Sequence, residues 1–188
     1  MQENSHPRLL GDVGGTNARF AWQDHAGTPL SGMVTYSCAH FASLLDAGRY
    51  YLAAHDHAAV QACATGIANP VTADQVRMTN HHWSFSINEL RSALGARQLV
   101  VINDFTAIAL SLPDLAPHEL HRVGGGHPVE GAPRAVLGPG TGLGVSGLLH
   151  LPSGQTLAID GEGGHATLAA LDLKWISSNE HTPIGQRQ

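Results

Sequence analysis

The chain changes its hydrophobic period several times, and each change marks an element. Residues 8 to 37 alternate apolar and polar positions in short runs, "LLGDV", "ARFAWQD" and "SGMVTYS", broken at "GGT" and "HAGT". Period-two alternation punctuated by glycine turns predicts a meander of strands. From residue 41 to 55 the period lengthens, and Phe41, Leu44, Leu45 and Leu52 share one helical face. "AVQACATGIANP" alternates again and stops at Asn69-Pro70, because a residue preceding proline is pushed out of the helical region. "QVRMTN" reads as a further short strand. At "SINELRSALG" the signals for a helix agree: Ser86 and Glu89 have capping-box spacing, Ile87, Leu90 and Leu94 form a stripe, and Gly95 suits the C-terminal cap.

"QLVVINDFTAIALSL" begins as a continuous apolar run, the mark of a strand covered on both faces, and can turn helical from Asp104 onward. Strands alternating with helices in this order predict an α/β fold. Residues 113 to 133 carry four prolines and the run Gly124-Gly125-Gly126, which reads as a long connection. The expected domains are therefore 1–114 and 115–188. The second holds "RAVLGPG", "GVSGLLHL" and "TLAIDG", short strands punctuated by glycine. From Leu171 the periodicity fades, and the tail reads as frayed or cut short.

Composition narrows the function classes. With 43% hydrophobic and 13% charged residues the chain is expected to fold as an ordered globule. A net charge of −5 gives no basic footprint for nucleic acid. No apolar run has the length of a bilayer span, and "MQENSHPR" lacks the layout of a signal peptide, so a cytoplasmic protein is expected. Cys38 and Cys63 form no metal or disulfide pattern and read as small buried apolar residues. The thirteen histidines include the pairs His55/His57 and His81/His82 but no metal-binding motif.

Candidate chemistry gathers where strands end in glycine. In "GDVGGTN" the glycines let backbone N–H groups approach an anion, Thr16 adds a hydroxyl donor, and Asp12 can hold magnesium through water. The competing reading is a hairpin that needs glycine only for positive φ. "GPGTGLG" repeats the pattern with Gly140, Thr141, Gly142 and Gly144, and two such loops in separate lobes suggest a nucleotide held across a cleft. The sequence carries no Walker A ending. At Asn103-Asp104 a strand gives way to a helix. The carboxylate there could take a proton from an attacking hydroxyl, or it could simply cap the helix. Glu162 and His165 in "GEGGH" suit recognition of a polyol, and equally suit a solvated turn.

The runs "GDVGGTNARF", "MTNHHWSFSINEL", "INDFTAIAL", "PVEGAPRAVLGPGTGLGV" and "GEGGH" together resemble bacterial glucokinases of the type outside the repressor-and-sugar-kinase group, over residues 8 to 168. The glycine pattern alone is shared with actin-like ATPases, and the cysteine-rich motif of the repressor-and-sugar-kinase group is missing. The resemblance implies an actin-like ATPase (ribonuclease H-like) α/β fold, with its first lobe nearly complete and its second partial. It implies transfer of the γ-phosphoryl group of ATP, with Mg2+, to the 6-hydroxyl of glucose. On matching positions Asp104 would be the general base, and Asn103, Glu162 and His165 would bind sugar hydroxyls. Asp12, Gly14, Gly15, Thr16, Gly140, Thr141 and Gly142 would face phosphate and magnesium.

Members of that family are much longer, and the likeness fades near residue 170, as in a truncated or frameshifted product or a fragment. Negligible activity of the chain alone is therefore expected. Two other readings compete: a silent sugar-binding fragment whose open lobe favours association, a homodimer being one such form, and an actin-like ATPase without a sugar substrate.

Overall fold

A computed structural model describes residues 5–139 and 142–163, apart from the side chain of Glu162. Chain contacts divide the protein into two compact units, Met1–Asp104 and Phe105–Gln188.

The first unit is built on a five-stranded sheet. Strands β1 (Arg8–Val13), β2 (Asn17–Gln23) and β3 (Ser31–Ser37) form the expected antiparallel meander. Helix α1 (Leu44–Ala54) then leads to β4 (Ala62–Ile67), which pairs parallel to β1. β5 (Gln75–Arg77) and β6 (Ser84–Ser86) make a separate two-stranded ribbon before α2 (Ile87–Ala93). β7 (Gln98–Asn103) closes the sheet parallel to β4, giving the order β3-β2-β1-β4-β7. Parallel strands joined through helices are the α/β signature that the alternating pattern predicts.

The local causes are legible residue by residue. The Ser43 hydroxyl accepts the Asp46 amide N–H at 3.1 Å and starts α1, so Phe41 precedes the helix instead of belonging to it. Phe41 instead lends its carbonyl to the indole N–H of buried Trp83, at 3.2 Å. α2 ends as its sequence foretells. Gly95 adopts φ +70°, its N–H donates to the Ser92 carbonyl, and the Ala96 N–H donates to Arg91, which together make a Schellman cap. At the other end, the Ser86 hydroxyl accepts the Glu89 N–H as expected. The reciprocal partner of Ser86 is Asp74, whose carboxylate takes the Ser86 O–H at 2.6 Å and the Asn88 N–H at 3.0 Å. Those bonds, Ser86 first, hold the Asp74 carboxyl below its ordinary value.

The core of this unit lies between the sheet and its helices. Leu9, Val13, Phe20, Trp22, Cys63 and Ile67 from the strands meet Leu44, Ala47, Tyr51 and Leu90 from the helices. Both cysteines are buried, as expected, and burial pushes the Cys63 thiol up to about 11, which leaves it unreactive. "QVRMTN" forms a strand only over Gln75–Arg77.

The second unit begins within α3 (Asp104–Ser111), the helix expected from Asp104 onward. After a connection containing two single 3₁₀ turns come β8 (Arg134–Pro139), β9 (Leu143–His150) and β10 (Thr156–Glu162). They pair antiparallel in the order β10-β9-β8. α3 packs on one face, where the Thr106 hydroxyl donates to the Asp160 carboxylate at 2.5 Å. On the opposite face the register aligns Leu137, Leu157 and Ile159, which are 66%, 51% and 48% exposed. No helix among the described residues is long and apolar enough to cross a membrane.

Candidate active site

Three parallel strands of the first unit end at one level. The register aligns Val13 of β1 with Ile67 of β4, and Ile67 with Asn103 of β7. The chain therefore leaves the sheet at neighbouring points through Gly14, Ala68 and Asp104. Strands lie ~4.8 Å apart, so the outer two of these exits are about 10 Å apart. The carboxyl edge of a parallel sheet is where open α/β folds bind ligands, because loops and helix starts converge there. Asp12, Gly14, Gly15, Thr16, Asn103 and Asp104 all stand at this edge.

The β1–β2 turn shows why its residues are glycines. Neither Gly14 nor Gly15 has positive φ, so the hairpin reading that required it does not hold. A Cβ on Gly15 would lie 2.8 Å from the Asn80 carbonyl oxygen and 2.9 Å from the Asn80 Cβ, so close approach is what excludes a side chain. The Gly14 N–H is spent inside the turn on the Asn17 carbonyl at 2.9 Å. The amides of Gly15 and Thr16 and the Thr16 hydroxyl make no hydrogen bond among the described residues and remain available to an acceptor. The sequence reading of a donor-rich turn is thus narrowed to its second half.

Asp12 is 60% exposed and pairs across the strands with Arg19 at 3.1 Å. One carboxylate oxygen is engaged by the guanidinium, while Oδ1 has no partner among the described residues. An exposed pair of this kind contributes at most about 1 kcal/mol. Asn103 ends β7 and Asp104 is the first helical residue of α3, one place inside the capping position.

Residues that pattern reading passed over hold this edge together. Asn69, read from the sequence only as a strand stop, is buried, and its carbonyl oxygen accepts both the N–H and the hydroxyl of Thr79, at 2.9 and 2.7 Å. The signal available was a polar side chain closing an alternating strand.

In the second unit, Gly138 and Gly144 face each other across β8 and β9. A Cβ on Gly144 would lie 1.9 Å from the Phe105 ring, and one on Gly138 would lie 2.8 Å from it. Those two glycines make room for an aromatic ring. Gly142, by contrast, borders open space. Glu162 ends β10. Gly140, Thr141 and His165 lie outside the described residues.

A sequence profile described as glucokinase matches residues 9–178. The chain belongs to the glucokinase family. A glucokinase of Aromatoleum aromaticum is 53% identical over 168 residues, covering 89% of this chain and 50% of that protein. One from Neisseria gonorrhoeae is 48% identical over 167 residues, covering 89% and 50%. Among solved structures, a glucokinase from an Antarctic psychrotroph superposes with a TM-score of 0.82 at 33% identity, covering 95% of this chain and 59% of that one. A putative N-acetylmannosamine kinase of Listeria monocytogenes, 14% identical with a TM-score of 0.58 over 91% of this chain and 58% of its own, shows the fold alone. The fold is accordingly the actin-like α/β fold of sugar kinases. The chain spans about half the length of the curated glucokinases it matches.

Proposed function

We propose that this chain carries the phosphate-facing turn and the general base of a cytoplasmic glucokinase, which transfers a phosphoryl group from ATP to the 6-hydroxyl of glucose. The observation that carries this reading is the shared exit level of β1, β4 and β7, which sets the Gly15–Thr16 donors and Asp104 on one edge of one sheet. The uncommitted Gly15 and Thr16 amides fit phosphate oxygens, and the free oxygen of Asp12 fits a hydrated magnesium ion. ATP, when bound, supplies the phosphoryl group, and magnesium offsets its charge.

The rest is positioning. Asp104 accepts the proton of the sugar hydroxyl as that oxygen attacks, and Asn103 orients a neighbouring hydroxyl. Glu162 and His165 hold further hydroxyls, and Gly140, Thr141 and Gly142 form the second phosphate-facing loop. Under this proposal the division into lobes falls near residue 114, and association into a homodimer covers the apolar face of the second unit.

The second reading is a catalytically silent sugar-binding fragment. Calorimetric titration of the 188-residue chain with glucose and with Mg·ATP separates the readings. Binding of both supports the kinase half-site. Glucose alone supports the silent fragment, nucleotide alone an actin-like ATPase, and binding of neither overturns the proposal.

A further inference from the structure

The glycine turn is braced from outside its own hairpin. Gly15 has no positive φ, so its identity is set by the Asn80 main chain, which leaves no room for a Cβ. Asn80 is exposed and has no hydrogen bond among the described residues to hold it there. Its neighbour Thr79 is held instead, by the two bonds to the buried Asn69 carboxamide oxygen. The Asn69 amide nitrogen donates to the Pro70 carbonyl at 2.9 Å, so both ends of the carboxamide are committed. At the start of the circuit, the Ala68 N–H donates to the Val13 carbonyl at 3.0 Å, tying the end of β4 to the end of β1. Val13, Ala68, Asn69, Thr79, Asn80 and Gly15 thus form a closed ring of contacts around the turn.

Burying a carboxamide is costly unless its hydrogen bonds are made, and here two of the three go to one residue of a surface loop. We propose that Asn69 is a positioning residue: acting through Thr79 and Asn80, it fixes the Gly15–Thr16 amides in the orientation that receives phosphate. The structural part stands on these contacts alone, while the phosphate part rests on the function proposed above. Anion recognition by main-chain amides tolerates displacements of only about 0.5 Å, so loosening the brace weakens binding without removing a ligand-contacting group.

The test is a double-mutant cycle on the 188-residue chain, read by urea unfolding. Gly15→Ala alone is expected to raise the unfolding constant about 10- to 100-fold, because Asn80 cannot yield. In the Asn69→Ala background the same substitution is expected to cost at least fivefold less. Should Asn69→Ala fail to fold, Thr79→Val, which removes the hydroxyl donor alone, replaces it in the cycle with a coupling above about twofold. Additive effects in whichever cycle is measured overturn the proposal.

Mg·ATP titration of the folded variants supplies the second arm. A roughly tenfold weaker Kd in Asn69→Ala supports the positioning role, and an unchanged Kd overturns it. Strong coupling with no Mg·ATP binding to the native chain upholds the brace and rejects the function proposed for the turn.

Discussion

The two units differ in how completely they bury their apolar surface. In the first, both the meander and the parallel strands present side chains to one core, and Val13, Tyr51, Ile67 and Trp83 are sealed within it. In the second, Ala109 and Leu148 are the buried apolar side chains among the described residues, while Leu137, Leu157 and Ile159 are exposed on one face of the sheet. The difference teaches where the local geometry is self-sufficient. Asn103, Asp104 and the Gly14–Thr16 turn hang on strands whose positions are fixed by a closed core. The β8–β9 hairpin sets two glycines, Gly138 and Gly144, against one ring, Phe105.

The largest effect that would break this contrast comes from the first core. Trp83→Ala is expected to lower stability by about 3–5 kcal/mol in urea unfolding, whereas Leu157→Ser stays within about 0.5 kcal/mol. Light scattering should show less concentration-dependent association of Leu157→Ser, since it shrinks an exposed apolar patch. Equal losses from the two substitutions would erase the distinction.

Next in size is the hairpin. Gly144→Ala is expected to cost about 1–3 kcal/mol by displacing the Phe105 ring, while Gly142→Ala, facing open space, is expected to be nearly neutral. A neutral Gly144→Ala would mean that the ring does not order the hairpin. Smaller again is the α2 cap: Ser86→Ala should cost about 1 kcal/mol, measured as a shift in the thermal midpoint.

The smallest effect is a pH dependence in the first unit. The His57 ring stacks on Trp22 at 3.8 Å, and burial followed by the neighbouring His55 holds it below its ordinary value of 6.5, against the opposing pull of Asp24 and Asp56. Burial and then His82 lower His81 in the same direction. A depressed histidine binds fewer protons in the folded than in the unfolded chain, so stability is full above about 6.5 and declines as pH falls through the lowered folded value. His57→Phe keeps the stacking and should flatten that acid slope; an unchanged slope would assign it elsewhere.

Much of this fold was legible because its causes are local. The Ser86 hydroxyl caps the start of α2 and the positive φ of Gly95 ends it. The apolar run ending at Asn103 gives the parallel strand and the helix start together, although β7 lies at the sheet edge with Val100 53% exposed and is not covered on both faces as expected. What stayed hidden depended on partners distant in sequence. β6 went unread, since Ser86, its last residue, was recognised only as the cap of α2 and its pairing partner β5 lies across the turn. Gly138 and Gly144 read as loop glycines because the ring that needs their space belongs to Phe105. Asn69 read as a strand stop because its partner Thr79 follows ten residues later. At the candidate site, the sequence singled out Asp12, Gly14, Gly15, Thr16, Asn103 and Asp104, but their alignment on one edge required the parallel register.

The most direct measurement is a two-ligand NMR titration of the isotopically labelled 188-residue chain. Mg·ATP should shift the Gly15 and Thr16 amides, and glucose should shift those of Asn103 and Asp104, while the amides around Trp22 and His57 stay still. Ligand-induced shifts centred on Trp22 and His57, with the carboxyl edge of the sheet silent, would contradict the account.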